Sequence, residues 1–415
     1  MNPIKHIGMT CVFACFSQFI LAQTELFNKT VNSFLRHEKN EIQYFGCSSE
    51  WFDLFYEKLL KLQLHGTGHL NILHFGDSHI QADHLPNRMR ERLRGEHTNW
   101  DEGDRGLIFP FTVAKSNNPH SYIVDYSGEW SSVRSSLSNG NSDLGLTGMS
   151  ISTSDLNATL KISQPQTGYT TSSFTRIRVF HSTGENVPKI VLNETDNLLH
   201  QITNEFYGYT LFMLKKPAES FSISFDFSET NSQEISIFGI SLESENAGST
   251  YSALGVNGAS VSSLLKSNLL EKQLTVINPS LIILSYGIND VFQNFNASEF
   301  ESDYTILIKR IRSVLPNVPI LLTTPGDALR NRTQTIKEFP QMISVIYNVA
   351  KNNDCAVWDF FEVMGGKGSI NDWHNAGLTN ADKLHFLKRG YELQADLLFQ
   401  ALIQNYLNTI TTNNP

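Results

Sequence analysis

The stretch Leu70-Asn71-Ile72-Leu73-His74-Phe75-Gly76-Asp77-Ser78-His79 decides the fold. Its first six residues are a short apolar run of the kind found in strands covered on both faces. Gly76 closes the run, and a charged, helix-favouring segment follows from about Asp83 to Arg94. Strand, glycine turn and helix in that order open an α/β domain. Ser78 then stands at the carboxyl end of a sheet strand, where open α/β sheets bind ligands and where backbone N–H groups face an anion. Taken alone, these residues read better as a plain strand turn with a capping serine.

Upstream, residues 23–66 read as helical, with Trp51, Phe52, Leu54, Phe55, Leu59 and Leu60 forming an apolar side that ends at Gly66-Thr67-Gly68. Downstream, from about Asn117 to Asn246, the helical period fades and Ser, Thr, Asn and Gly become frequent. Short runs recur at Thr175–Phe180, Lys189–Leu192, Tyr209–Leu214, Phe221–Phe227 and Ile235–Leu242, the spacing of an antiparallel, jelly-roll-like sandwich. The α/β rhythm then resumes: a helix over Ala259–Leu274, a strand over Leu281–Ser285, and a helix opened by a capping box at Ser298-Glu299-Phe300-Glu301. A strand over Pro319–Thr324, a helix over Gln341–Lys351, a strand over Ala356–Phe360 and a last helix over His385–Tyr406 complete it. The last helix is expected to bury Leu387, Tyr391, Ala395, Leu398 and Leu402. The expected organisation is an α/β/α sandwich, residues 23–116 and 249–415, interrupted by a β module over 117–248.

The 415 residues carry a net charge of −9 without a basic cluster, which excludes a nucleic-acid partner. Lys5 and His6 precede an apolar run, Ile7–Leu21, and Ala22 offers a small residue for cleavage, so residues 1–22 read as a signal peptide. The protein is expected to be exported, to the periplasm or the medium, with no stable membrane insertion. Removal of the signal leaves Cys47 and Cys355, too few for a structural metal site and expected to stay unpaired. No His, Asp and Glu cluster has metal-ligand spacing, so neither metal nor cofactor is expected.

Three further segments carry chemistry. Gly255-Val256-Asn257-Gly258-Ala259 is a turn into a helix in which Gly258 lets backbone approach a substrate and present its N–H. Gly287-Ile288-Asn289-Asp290 follows a strand directly; Asn289 there either donates its amide to a developing oxyanion or makes an Asx turn. Asp382-Lys383-Leu384-His385 puts an acid and a base three residues apart at the start of the last helix, so that the carboxylate can hold the imidazole while its other nitrogen faces a serine. Asp372-Trp373-His374 is a rival acid–histidine pair with a tryptophan suited to stacking on sugar, but it has no helix behind it. His74, Asp77 and Asp290 read as structural residues of their turns.

In this order the four segments resemble the SGNH (GDSL-like) hydrolases, whose blocks are a GDS turn, an oxyanion glycine, a GxND asparagine and a carboxyl-terminal DxxH. The resemblance implies a three-layer, flavodoxin-like fold, with Ser78 as nucleophile, His385 as general base and Asp382 as its orienting acid. It also implies an oxyanion hole made of the N–H groups of Ser78 and Gly258 and the side chain of Asn289. His79 departs from the leucine common at its position. His74–Asp83, the Gly103-Asp104-Arg105-Gly106 loop and the β insertion are similar to bacterial peptidoglycan O-acetylesterases, which implies an acylated polysaccharide as substrate and a carbohydrate-binding-like insertion. A lipase, thioesterase or O-acetyltransferase using the same residues, or a non-catalytic polysaccharide-binding protein, are the alternatives.

Overall fold

The computed structural model describes residues 33–94, 103–137, 142–165, 173–184, 186–228 and 234–412. The expected signal peptide lies outside them. Six strands make the central sheet: β1 (Ile42–Tyr44), β2 (His69–Gly76), β3 (Gly248–Gly255), β4 (Leu281–Ser285), β5 (Ile320–Thr323) and β6 (Ala356–Trp358). Their order is β1-β6-β5-β4-β2-β3, all parallel except the antiparallel edge strand β1. Without β1 this is the 2-1-3-4-5 order of flavodoxin-like sheets, and its switch point lies between β2 and β4. Ser78 and Asn289 follow those two strands.

Alternate side chains of each strand serve opposite faces. Leu70 and Ile72 of β2 and Ile283 of β4 meet the helix Ser48–His65 and the terminal helix. Leu73 and Phe75 with Ile282 and Leu284 join a core that includes the helices Ala297–Val314 and Phe339–Asn352. Burial on both faces explains why the β4 run Leu-Ile-Ile-Leu has no polar alternation. Among the described residues no helix is long and apolar enough to cross a membrane.

Two antiparallel sheets build the inserted β module. One has the strand Ile235–Glu243 between Phe174–His181 and Met149–Thr153, and also pairs it with Gly106–Ile108. The other orders Ile123–Ser127, Thr159–Ser163, Ser220–Asp226 and Lys189–Leu192. Phe174 of the first meets Phe221 of the second, ring centroids 5.8 Å apart. The module enters after the first strand-helix unit and returns directly into β3.

Several local expectations need correction. Of the helical span expected over 23–66, residues 23–32 lie outside the described residues; in the rest the long helix starts at Ser48, because Ile42–Tyr44 pairs with β6 as an edge strand. The span Ala259–Leu274 is two helices, Val261–Leu265 and Leu270–Ile277. Asn296, not Ser298, caps the helix Ala297–Val314, accepting from the N–H groups of Ser298 and Glu299. The terminal helix runs Lys388–Thr412, leaving Leu387 exposed and His385 in the segment before it. The two cysteines, by contrast, are as expected: Cys47 and Cys355 are both free thiols, the first exposed and the second buried.

Candidate active site

Gly76 is dictated by packing: a Cβ there would lie 2.4 Å from the Ile80 side chain and 2.9 Å from the Ser285 carbonyl oxygen. The chain therefore turns tightly out of β2. Asp77 caps the one-turn helix Ser78–Gln81 by accepting the His79 N–H at 2.9 Å. Ser78 occupies the first helical position, its hydroxyl free of the sheet.

Ser78 Oγ lies 3.0 Å from His385 Nε2, and His385 Nδ1 lies 2.8 Å from Asp382 Oδ2. The other carboxylate oxygen of Asp382 accepts the N–H groups of Leu384 and His385, each at 3.0 Å. The acid is thus fixed by its own turn, and it fixes the imidazole. This turn is a loop rather than the first turn of a helix. It is pinned by Asn380 N–H to His385 O and by Leu329 N–H to Lys383 O, with Lys383 at φ +53°. Burial opposes ionisation of Asp382, but His385 and the two N–H groups prevail and hold its carboxyl below the ordinary range.

Gly258 and Asn289 line the same cleft as Ser78 and His385, a cavity of about 850 Å³. Gly258 has φ +77°, a conformation that suits glycine. Asn289 directs its amide to Ala259 O at 3.0 Å and to Asp77 Oδ2 at 3.2 Å. Burial pushes the Asp77 carboxyl up to about 7, against the lowering effect of the His79 N–H and of nearby His385. Asp290 is half-buried and accepts the Val261 N–H at 3.3 Å, in keeping with a structural part.

His79 has a role that its sequence position alone did not disclose. Its ring stacks on that of His385, with centroids 5.1 Å apart and planes at 23°, and its Nδ1 lies 3.0 Å from the Tyr391 hydroxyl. Burial, and then the neighbouring His385, lower its pKa to about 3, so it stays neutral beside the base. His74 packs as expected but is satisfied by side chains, not backbone: Tyr251 Oη at 2.7 Å and Ser285 Oγ at 2.6 Å. The rival pair fails, because Trp373 is fully buried and His374 turns to Thr379 Oγ1 at 3.0 Å. Among the described residues no group of three or more His, Cys, Asp or Glu side chains is arranged to hold a metal ion.

Sequence reading also missed Gln81 and Ser136, which bind the turn before Gly258. A glutamine three residues after the nucleophile turn and a serine inside a polar β module carry no local signal. The rest of the cleft wall pairs amides and imidazoles, from Asn117, Asn118 and His120 of the insertion and from His84 and Asn257, with apolar side chains such as Ile288, Phe292 and Leu384.

A flavodoxin-like sheet with a hydrogen-bonded serine, histidine and aspartate at its carboxyl edge is the arrangement of a serine hydrolase. Within that class, residues 235–393 match the GDSL-like Lipase/Acylhydrolase family, the GDSL/SGNH type of hydrolase. The match takes in Gly258, Asn289, Asp382 and His385, while Ser78 lies upstream of it. The solved structure of a peptidoglycan O-acetylesterase is similar over 88% of this chain and 99% of its own, with a TM-score of 0.72 and 22% identity, which establishes a shared fold. Partial likenesses include the psychrotrophic esterase EstA from Pseudoalteromonas sp., at 18% identity and TM-score 0.31, over 39% of this chain and 79% of its own. A lipase/acylhydrolase from Enterococcus faecalis gives 20% identity and TM-score 0.30, over 37% and 75%. No curated protein matches the sequence.

Proposed function

We propose that this chain is an exported serine esterase that removes O-acetyl groups from a cell-wall polysaccharide, peptidoglycan being favoured. The observation that carries the reading is the continuous Ser78–His385–Asp382 hydrogen-bond chain, at 3.0 and 2.8 Å, opening on a cleft that also contains Gly258 and Asn289. Ser78 Oγ attacks the ester carbonyl while His385 Nε2 takes its proton, and Asp382 stabilises the imidazolium. In this reading the N–H groups of Ser78 and Gly258 donate to the developing oxyanion, and the Asn289 amide, held in the ground state by Ala259 O and Asp77 Oδ2, completes the hole. His385 returns the proton to the leaving sugar oxygen, and a water deprotonated by the same base releases acetate.

The substrate class rests on the cleft and on the insertion. The amides of Asn117 and Asn118 and the imidazoles of His84 and His120 on the cleft wall offer donors and acceptors for sugar hydroxyls, beside apolar and aromatic side chains that can lie against the ring. The fold shared along the whole length of a peptidoglycan O-acetylesterase, insertion included, supports the same choice. The test is acetate release by residues 23–415 from O-acetylated peptidoglycan and from acetylated xylan, with S78A in parallel. Release from peptidoglycan that S78A abolishes is expected. Release from xylan alone would discard the cell-wall substrate, and undiminished release by S78A would discard the nucleophile.

A further inference from the structure

The Asn257–Gly258 turn is held from both sides by residues outside the family's catalytic blocks. The Asn257 N–H donates to Gln81 Oε1 at 2.7 Å, and the Asn257 carbonyl accepts the Ser136 hydroxyl at 2.9 Å. That carbonyl and the Gly258 N–H belong to one planar trans peptide, so they point in opposite directions. Fixing the carbonyl therefore fixes the line along which the Gly258 N–H is aimed. A hydrogen bond accepted at the carbonyl also polarises the peptide and strengthens its N–H as a donor.

Ser136 belongs to the inserted module, in the turn after the strand Ser131–Arg134. This turn is itself anchored: Ser135 N–H donates to Gly148 O at 2.9 Å, and Lys266 Nζ donates to Ser135 O at 2.9 Å. Gln81 is nearly fully buried at 2% exposure, and its amide is saturated. Its nitrogen donates to Ser116 Oγ at 2.8 Å and to Asn117 O at 2.9 Å, in the segment that leads into the insertion. One glutamine thus joins the nucleophile helix, the entrance of the insertion and the oxyanion turn. The nucleophile helix also packs closely on the strand before this turn, since a Cβ at Gly255 would lie 2.1 Å from the backbone nitrogen of Gln81.

We infer that Ser136 and Gln81 clamp the Asn257–Gly258 peptide, and that the inserted β module thereby forms a working part of the oxyanion hole. Both are positioning residues; neither touches the reacting atoms. The inference rests on the proposed esterase reading, and it assigns the insertion a part in the acyl-transfer step that is separate from any binding of glycan. Because the Gly258 N–H gains most when the carbonyl becomes an oxyanion, the clamp acts on the transition state and not on the bound ester.

The test uses the full chain with 4-nitrophenyl acetate, an ester too small to engage a glycan subsite, and compares S136A, S136T, Q81L and S78A. S136A is expected to lower kcat about five- to tenfold with KM unchanged, the value of one neutral hydrogen bond. S136T, which keeps the hydroxyl, should recover most of that rate. The thermal midpoint of S136A should match the parent, since the lost hydroxyl is only half-buried. Q81L should show the same split between kcat and KM in whatever fraction is folded. An S136A kcat equal to the parent's overturns the clamp if S78A is inactive. So does a loss that appears in KM or follows the folded fraction. An active S78A would instead overturn the nucleophile reading, and the clamp with it.

Discussion

The carboxamide of Asn289 donates to Oδ2 of Asp77 across 3.2 Å, so the residue next to Ser78 holds the side chain proposed to receive the oxyanion. Asp77 Oδ1 already holds the His79 N–H, which leaves Oδ2 for Asn289. In D77N, keeping the contact to His79 would turn an amide nitrogen toward Asn289, donor against donor. We expect kcat for acetyl ester hydrolysis to fall about tenfold, the size of one misdirected hydrogen bond. The fold should persist, since asparagine also caps helices. Steady-state kinetics on purified D77N check this, and a kcat equal to the parent's would free Asn289 from any dependence on Asp77.

D382N addresses the other end of the site. The two N–H groups of Leu384 and His385 can still be accepted by an amide oxygen, so the turn should survive. The amide nitrogen then meets His385 Nδ1 and favours the tautomer with its proton on Nε2, the wrong side for a base toward Ser78. A drop of about 10²- to 10⁴-fold in kcat is expected, by analogy with serine hydrolases generally. Acetate release by D382N and S78A in one assay decides it. A loss under about tenfold would remove Asp382 from the mechanism.

These residues were legible because each is a local event: a glycine turn, a strand end, an acid and base three apart. What stayed hidden depends on distant parts of the chain. His385 was expected in the first turn of the terminal helix, but the Thr379–Phe386 bridge and the positive φ of Lys383 hold it in a loop that ends before Lys388. The edge strand Ile42–Tyr44 has only three residues and is defined by its partner Ala356–Trp358, not by its own pattern. Gln81 and Ser136 look like ordinary polar residues until the insertion folds against the oxyanion turn. Trp373 looked available for a sugar, but it stacks on Phe386 with centroids 4.9 Å apart, inside the core.

The seam between the insertion and the α/β sheet contains a buried ionic cluster that should be costly to break. Asp83, at 2% exposure, accepts Arg90 at 2.6 Å and Arg105 at 3.1 Å, and also the Ser121 hydroxyl. Burial raises the Asp83 pKa, but the two guanidinium groups outweigh it and hold the carboxyl below its ordinary range. D83A leaves two buried cations without their anion, a loss of about 3 to 5 kcal/mol. Urea unfolding at neutral pH measures it. A change below about 1 kcal/mol would mean that water reaches the cluster and replaces the carboxylate.

Asp290 sets a pH dependence of the opposite sign. Burial pushes its carboxyl up to about 7, with only partial relief from the Val261 N–H, and its Oδ2 has no partner. Between an unfolded pKa near 3.8 and a folded value near 7, the folded chain binds the extra proton. The contribution of Asp290 is therefore fully present below about pH 4 and is lost as pH rises through 7. Asn at this position imitates the protonated acid at every pH. D290N should thus be more stable than the parent at pH 8, on the order of 1 to 3 kcal/mol, and the gap should shrink toward pH 5. Urea unfolding of both proteins at the two pH values tests the sign. A D290N that is less stable at pH 8, or a gap that stays constant, would mean that the ionised carboxylate is stabilised in the folded chain, and that its burial does not control its charge.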